Sequence, residues 1–216
     1  MKAYFKPSLA IILILLADQV LKFWIKLNMS LGQEYRILGK YAMIHFTENN
    51  GMAFGMEFGG EAGKLALTLF RIAAVCGIGY GVVYLIKKKY HRGLILNLAL
   101  IFAGAMGNII DSTFYGTLFS ESTYYEAAKF LPAGGGYSSL FHGKVVDMFY
   151  LPILQGIYPS WFPFWAGEEF IFFRPVFNVA DSAISIGVVM ILIYQKSYFK
   201  EEKKEEIFTH SEMIEE

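Results

Sequence analysis

Residues 94–111 read LILNLALIFAGAMGNIID, an apolar run that carries no charge before its last residue, Asp111. A helix needs about 20 mostly apolar residues to cross a bilayer, and the run continues as far as residue 114. Gly104, Asn108 and Asp111 are spaced so that they share one face of a helix. The stretch therefore predicts a membrane-spanning helix that packs closely at Gly104 and presents two polar groups at one end.

Three further apolar runs complete a pattern of four spans. They cover residues 9–27, 65–86 and 176–194. The whole chain is 55% hydrophobic with a mean hydropathy of +0.41, above the range typical of soluble domains. We therefore predict a single integral membrane domain over residues 1–216. A cleaved signal peptide is the alternative for the first run, but Asp18 and Lys22 interrupt that run and no small-residue cleavage site follows it.

Lysine and arginine residues cluster before the first run, between the second and third runs, and after the fourth. The positive-inside rule places such clusters in the cytoplasm. Both termini, including the tail of residues 197–216, are therefore predicted to be cytoplasmic. The regions of residues 28–64 and 115–175 are poor in basic residues and are predicted to face outward.

Both outward regions carry signals of folded structure. Residues 41–47 read as a short strand that leads to the turn Asn49-Asn50-Gly51. Residues 115–143 and 159–165 are rich in aromatic side chains, which favour the headgroup level of a bilayer. We expect the outward regions to lie on the membrane surface.

Charged side chains within the spans need a partner or a function, because a charge at mid-membrane costs at least about 2.5–3.5 kcal/mol. Asp18 and Lys22 stand four residues apart on one helix face and are interpreted as an ion pair. Asn178 and Asp181 share a face in the same way at the outer end of the fourth run.

Three carboxylates, Asp111, Asp147 and Asp181, are predicted to lie at one depth, the outer membrane boundary. One interpretation is interfacial capping and hydrogen bonding, and the other is catalysis. Two carboxylates held close together share a proton, so that one activates a water as general base while the other donates a hydrogen bond to a carbonyl. Such a pair hydrolyses a peptide bond without a metal or a cofactor.

Other kinds of site fit the sequence less well. The four histidines lack metal-ligand spacing, Cys76 is a single cysteine inside an apolar run, and a net charge of zero gives no case for nucleic-acid binding.

The runner-up function is a small proton-coupled transporter or channel with Asp18, Asp111 and Asp181 as a relay, although the inner half of the fourth run offers no polar side chain to continue that relay. A non-enzymatic scaffold would leave the aspartates unexplained.

Five short blocks of sequence together match the motifs of a known family, in the same order. The blocks are Asp18-Gln19-Val20-Leu21-Lys22, Asn49-Asn50-Gly51-Met52-Ala53-Phe54-Gly55, Gly104-Ala105-Met106-Gly107-Asn108-Ile109-Ile110-Asp111, Val145-Val146-Asp147 and Phe177-Asn178-Val179-Ala180-Asp181-Ser182. In these blocks the chain resembles bacterial lipoprotein signal peptidase, also called signal peptidase II. The resemblance implies an all-α membrane protein with four transmembrane helices, a small extracytoplasmic β-cradle and an inserted outward loop.

The resemblance also implies an activity and assigns residues to it. The activity is that of an aspartic endopeptidase, which removes the signal peptide from bacterial prolipoproteins by cutting just before the diacylglyceryl-modified cysteine. Asp147 and Asp181 correspond to the catalytic pair. The residues implied to support the pair or contact substrate are Asn49, Gly51, Asn108, Asp111, Asn178, Ala180, Asp18 and Lys22.

The implied setting is the bacterial inner membrane, with the active site at its outer face. The expected partners are the diacylglyceryl-prolipoprotein substrate and membrane lipid, with no cofactor, metal or nucleic acid, and we expect a monomer.

Two features depart from the family pattern. Ser112 follows Asp111 where the family usually has arginine, and Lys144 and Arg174 are candidates to replace that arginine. Asp111 and Asp147 are 36 positions apart, more than is usual in the family. The insertion of residues 114–143 is expected either to alter substrate choice or to cover the site as a lid.

Overall fold

A computed structural model describes residues 2–51, 60–152, 154–172 and 175–199. Residues 52–55 of the second sequence block, Arg174 and the tail from residue 200 lie outside the described residues. Four helices in the described part are long and apolar enough to cross a membrane. They are α1 (Lys2–Asn28), α2 (Gly60–Lys87), α3 (Arg92–Ile110) and α5 (Val179–Tyr198). The prediction of four apolar helices is confirmed.

The start of the fourth helix differs from the prediction. Residues 176–177, predicted to belong to the fourth span, form the short strand β6 (Val176–Phe177), and α5 begins only at Val179. A β-branched residue followed by an aromatic one suits a strand. Asn178 then stands between the strand and the helix.

Two antiparallel sheets are formed by the predicted outward regions together with β6. The first has the order β1–β2–β3–β6, in which β1 is Glu34–Leu38, β2 is Ala42–Asn49 and β3 is Val145–Tyr150. The second pairs β4 (Leu154–Ile157) with β5 (Glu169–Phe172). The strand predicted at residues 41–47 is therefore present as β2. It pairs with β3, which contains the fourth sequence block, Val145-Val146-Asp147.

The chain divides into two compact units, each described here by itself. Unit 1 comprises Met1–Ala17, Phe70–Gly107 and Val179–Glu216, and unit 2 comprises Asp18–Leu69 and Asn108–Asn178.

In unit 1, α3 and α5 pack against each other through glycines. A Cβ atom at Gly104 would overlap the Ala180 carbonyl oxygen, and one at Gly187 would lie 2.7 Å from the Asn97 carbonyl oxygen. The Asn97 amide also donates a hydrogen bond of 2.9 Å to the Tyr198 hydroxyl. The close approach predicted at Gly104 is confirmed, because only a residue without a side chain fits there.

In unit 2, the end of α1, the sheet and the insertion enclose one apolar core. Its buried residues are Ile25, Met29, Phe46, Tyr115, Phe119, Ala128, Val146 and Met148. Phe23 adds ring contacts with Tyr115 and Phe119, at centroid distances of 5.6 Å and 4.9 Å. The insertion thus supplies part of the core on which β2 and β3 rest.

The junction between α3 and the insertion is a π-helical turn, Asp111–Tyr115, followed by the single turn α4 (Gly116–Leu118). Such wide turns occur often at functional sites. The Gly143 N–H donates a hydrogen bond of 2.8 Å to the Ser112 carbonyl, and a Cβ atom at Gly143 would overlap the Asp111 carbonyl oxygen. The far end of the insertion is therefore anchored on the turn that carries Asp111.

Candidate active site

Asp147 lies in the middle of β3, and only 4% of its surface is exposed. Asn178 donates a hydrogen bond of 2.7 Å to its Oδ1 atom. Asn49 donates a second hydrogen bond to its Oδ2 atom. Because β2 and β3 pair Thr47 with Asp147 and Asn49 with Val145, Asn49 and Asp147 are diagonal neighbours on one face of the sheet. Two amide donors therefore fix the orientation of this carboxylate.

The Asn49 side chain is itself held by the turn that follows β2. The Gly51 N–H donates a hydrogen bond of 2.6 Å to Asn49 Oδ1. Gly51 has a φ of +85°, a conformation that favours glycine. The turn predicted at Asn49-Asn50-Gly51 therefore directs the Asn49 amide N–H₂ group towards Asp147.

Asn178 ties Asp147 to the end of α3. Its Nδ2 atom lies 3.1 Å from Asn108 Oδ1 and 3.2 Å from the Val146 carbonyl oxygen, and the side chain is fully buried. One amide group thus contacts a helix, a strand and the Asp147 carboxylate.

A buried ion cluster lies behind these contacts. The Lys22 ammonium group is 2.9 Å from Asp18, 2.7 Å from Asp111 and 2.9 Å from Asn108 Oδ1, and all three charged side chains have no exposed surface. Gln19 donates hydrogen bonds to both Asp18 and Asp111. The predicted ion pair of Asp18 and Lys22 is present, and Asp111 completes it as a triad.

Two routes of hydrogen bonds lead from this cluster to Asp147. In one, Lys22 contacts Asn108, whose carboxamide oxygen is close to Asn178. In the other, Asp111 accepts a hydrogen bond of 3.3 Å from the N–H of Val146, the residue next to Asp147 in β3. The cluster therefore supports Asp147 from behind through both a side chain and a strand.

Asp181 and Ala180 belong to unit 1. Asp181 lies in the first turn of α5, where the helix dipole favours a carboxylate. Ala180 is fully buried, and its carbonyl oxygen faces Gly104. Arg71, in α2, interacts electrostatically with Asp181. The sequence did not connect these two residues, because 110 positions separate them.

The Ser112 hydroxyl donates a hydrogen bond of 3.0 Å to the Asn108 carbonyl. Lys144, a candidate substitute for the family arginine, lies 3.5 Å from Glu121 and 4.0 Å from Glu48. Its ammonium group thus contacts carboxylates of the insertion and of β2, and it also lies 5.4 Å from the centroid of the Tyr137 ring.

A second buried ion pair escaped the sequence analysis. Lys26 in α1 and Glu48 in β2 form a salt bridge, and Ser122 lies within hydrogen-bond distance of both. Lys26 continues the spacing of Asp18 and Lys22 by four more residues. That spacing was the sequence signal for the ion pair. A lysine at the end of a span, however, is commonly interpreted as one whose ammonium group extends to the membrane interface.

In the described ranges, no group of three or more His, Cys, Asp or Glu side chains is arranged to hold a metal ion. The described polar side chains that contact Asp147, directly or through Asn108, are carboxamides and the Lys22 ammonium group.

Comparisons with known proteins identify the family of the chain. The family model described as signal peptidase (SPase) II matches residues 10–196. A curated lipoprotein signal peptidase of Porphyromonas gingivalis is 52% identical over 184 residues, which is 85% of this chain and 79% of that protein. One from Amoebophilus asiaticus is 36% identical over 189 residues, 86% of this chain and 75% of that protein.

Solved structures support the fold. A bacterial membrane enzyme determined by the in meso method at 1.9 Å resolution matches with a TM-score of 0.56 and 24% identity, covering 88% of this chain and 91% of that one. Another, at 2.3 Å resolution, gives a TM-score of 0.53 and 23% identity, with coverage of 88% and 87%. Together with the match of the family model over most of the chain, these findings mean that the protein is a multi-pass membrane protein and belongs to the signal peptidase II family.

Proposed function

We propose that Asp147 and Asp181 are the catalytic pair of a membrane aspartic endopeptidase that removes the signal peptide from prolipoproteins, cutting just before the diacylglyceryl-modified cysteine. Membership in a peptidase family supports the reaction class, and relatives named lipoprotein signal peptidase support the substrate. The same membership does not favour the transporter alternative.

The observation that carries the assignment is the convergence of two carboxamides on Asp147. Asn49 and Asn178 each donate to a different oxygen of this carboxylate. Hydrogen bonds from amide N–H groups favour the ionised form. Asp147 is therefore suited to accept a proton from an attacking water.

Asp181 is linked to Asn178 by a short stretch of chain. It follows Asn178 by three residues, so its Cα atom lies within about 11 Å of that of Asn178. In the proposed mechanism Asp147 and Asp181 share one proton, and the protonated member of the pair donates a hydrogen bond to the scissile carbonyl and passes a proton to the leaving amine. Arg71 interacts electrostatically with Asp181.

The proposed setting follows from charge asymmetry along the chain. Both termini lie in the cytoplasm, the sheets and the insertion lie outside, and the active site sits at the outer face of the bacterial inner membrane. The acyl chains of the substrate hold its cysteine at the membrane boundary, at the depth proposed for the carboxylates. We propose that the protein works as one monomeric membrane domain, with lipid and prolipoprotein as its partners.

The test is cleavage of a synthetic diacylated precursor peptide by purified variants in lipid bicelles. Asp147→Asn and Asp181→Asn should each lower kcat by at least about a hundredfold, because each removes an acid–base group. Both should remain folded, since asparagine keeps the size of the side chain. Glu121→Gln is the matched control, as its carboxylate is 66% exposed and lies in the insertion. Normal turnover by either aspartate variant would refute the assignment.

A further inference from the structure

The proposed mechanism leaves the Lys26–Glu48–Ser122 network without a role. The Lys26 and Glu48 side chains are 0% and 3% exposed and form a salt bridge. The Ser122 hydroxyl accepts a hydrogen bond of 2.9 Å from Lys26 and donates one of 2.9 Å to Glu48. The three residues come from α1, β2 and the insertion, so the network joins three parts of unit 2.

The insertion surrounds the Lys26 end of this network. The ammonium group lies 4.9 Å from the centroid of the Tyr137 ring and 5.4 Å from that of Phe119. Burial raises the pKa of the Tyr137 phenol, and the ring of Tyr137 also lies 5.4 Å from the Lys144 ammonium group. The Lys26 carbonyl also accepts a hydrogen bond of 3.0 Å from the Ala128 N–H.

At the other end of the network, Glu48 immediately precedes Asn49 in β2. Side chains alternate between the two faces of a strand. Glu48 pairs with Val146, and the next residue, Asn49, donates its hydrogen bond to Asp147. Fixing Glu48 on one face of β2 therefore fixes where Asn49 projects on the other.

A buried ion pair is a poor device for stability alone, because replacing both ions with apolar side chains is often neutral or stabilising. In some proteins a buried polar or ionic group instead specifies one geometry. At the end of β2, that geometry bears directly on Asn49.

We infer that Lys26, Glu48 and Ser122 are positioning residues for peptide cleavage, and that the insertion of residues 114–143 braces β2 so that Asn49 holds the Asp147 carboxylate in its reactive orientation. This inference rests on the proposed catalytic role of Asp147. It assigns the insertion a structural part in the active site through Ser122, in place of the lid considered from the sequence.

The test compares kcat, KM and folding of three variants. Lys26→Met/Glu48→Met removes both charges and leaves none unpaired, and it should lower kcat about tenfold with KM changed less than about twofold, because small misplacement of a reacting group is costly. Ser122→Ala keeps the ion pair and should lower kcat about threefold. Glu121→Gln, in the same insertion, should leave both constants unchanged.

A double-mutant cycle separates positioning from general stability. If the network acts through Asn49, then adding Lys26→Met/Glu48→Met to Asn49→Ala should lower kcat by less than about twofold further. The inference would be overturned if the losses of kcat from Lys26→Met/Glu48→Met and from Asn49→Ala multiplied. A folded Lys26→Met/Glu48→Met protein with full kcat would overturn it as well. If Lys26→Met/Glu48→Met does not fold, the same cycle is measured with Ser122→Ala and Asn49→Ala, and the same two outcomes apply. Activity of Asp147→Asn would instead refute the proposed function, so the two failures are distinguishable.

Discussion

At the scale of single residues, the polar side chains of unit 2 are organised around a few buried charges. Lys22 holds Asp18 and Asp111, and it reaches Asn108 as well. These contacts exchange hydration for ion pairing, which is favourable only when every charge has a partner. Removing different members of this cluster should therefore have unequal consequences.

We predict that Lys22→Met destabilises the protein much more than Asp18→Asn. Lys22→Met leaves two buried carboxylates without their cation and should lower the free energy of unfolding by about 3–5 kcal/mol. Asp18→Asn leaves Lys22 paired with Asp111 and should cost about 1–2 kcal/mol, as one hydrogen bond to a charged group is weakened. Unfolding of the purified variants in detergent measures the difference. Turnover per folded Asp18→Asn molecule should stay near that of the parent, and equal destabilisation by the two variants would contradict the prediction.

The sequence predicted individual residues well where the signal was local. Asp18 and Lys22 stand one helical turn apart, and their pairing followed from that spacing. The Lys26–Glu48–Ser122 network could not be predicted in the same way, because its members are separated by 22 to 96 positions. Only the fold brings them together.

At the scale of elements, hydropathy predicted the four helices, but not the edges of the fourth. Apolar content does not distinguish a strand from a helix in a short run, so Val176 and Phe177 were predicted to lie in the span although they form β6. The small-residue spacing of α3 was more informative, since Gly104 does lie against the backbone of α5.

We predict that Gly104→Ala disturbs the contact of α3 with α5, whereas Gly77→Ala in α2 does not. The added methyl group at Gly104 would overlap the Ala180 carbonyl oxygen, while that at Gly77 would meet nothing within 4 Å. Overpacking of this kind costs about 1–3 kcal/mol, and alanine in an open helix position is neutral or favourable.

Thermal unfolding and peptide cleavage should be measured on both glycine variants. Gly104→Ala should lower both the midpoint and kcat, because Ala180 immediately precedes Asp181. The prediction fails if the two variants behave alike.

At the scale of the whole molecule, the topology proposed from basic residues has a direct test in cysteine labelling. The single native cysteine, Cys76, lies within α2 and would be removed first as Cys76→Ser. Gly134→Cys then probes the insertion, and Lys88→Cys probes the connection between α2 and α3. Both are exposed positions.

We predict that a membrane-impermeant maleimide labels the Gly134→Cys protein in intact spheroplasts and labels the Lys88→Cys protein only after lysis. The expected difference follows from the positive-inside rule, which places the basic connection in the cytoplasm. The reverse labelling pattern would invert the topology and place the proposed active site on the wrong side of the membrane for its substrate.

The row of charged residues along α1 has a consequence for biosynthesis. Asp18, Lys22 and Lys26 leave the ribosome within the first helix, yet Glu48 and Asp111 are synthesised later. Asp18 and Lys22 can pair as soon as α1 forms, whereas Lys26 waits for Glu48, and Lys22 waits for Asp111 as its second partner. A charge without its partner is costly in lipid, so the first helix gains its full stability only when β2 and then α3 have arrived. We therefore expect α1 to complete its insertion late, alongside α3, and the assembly of the active site to be the event that secures the first helix in the bilayer.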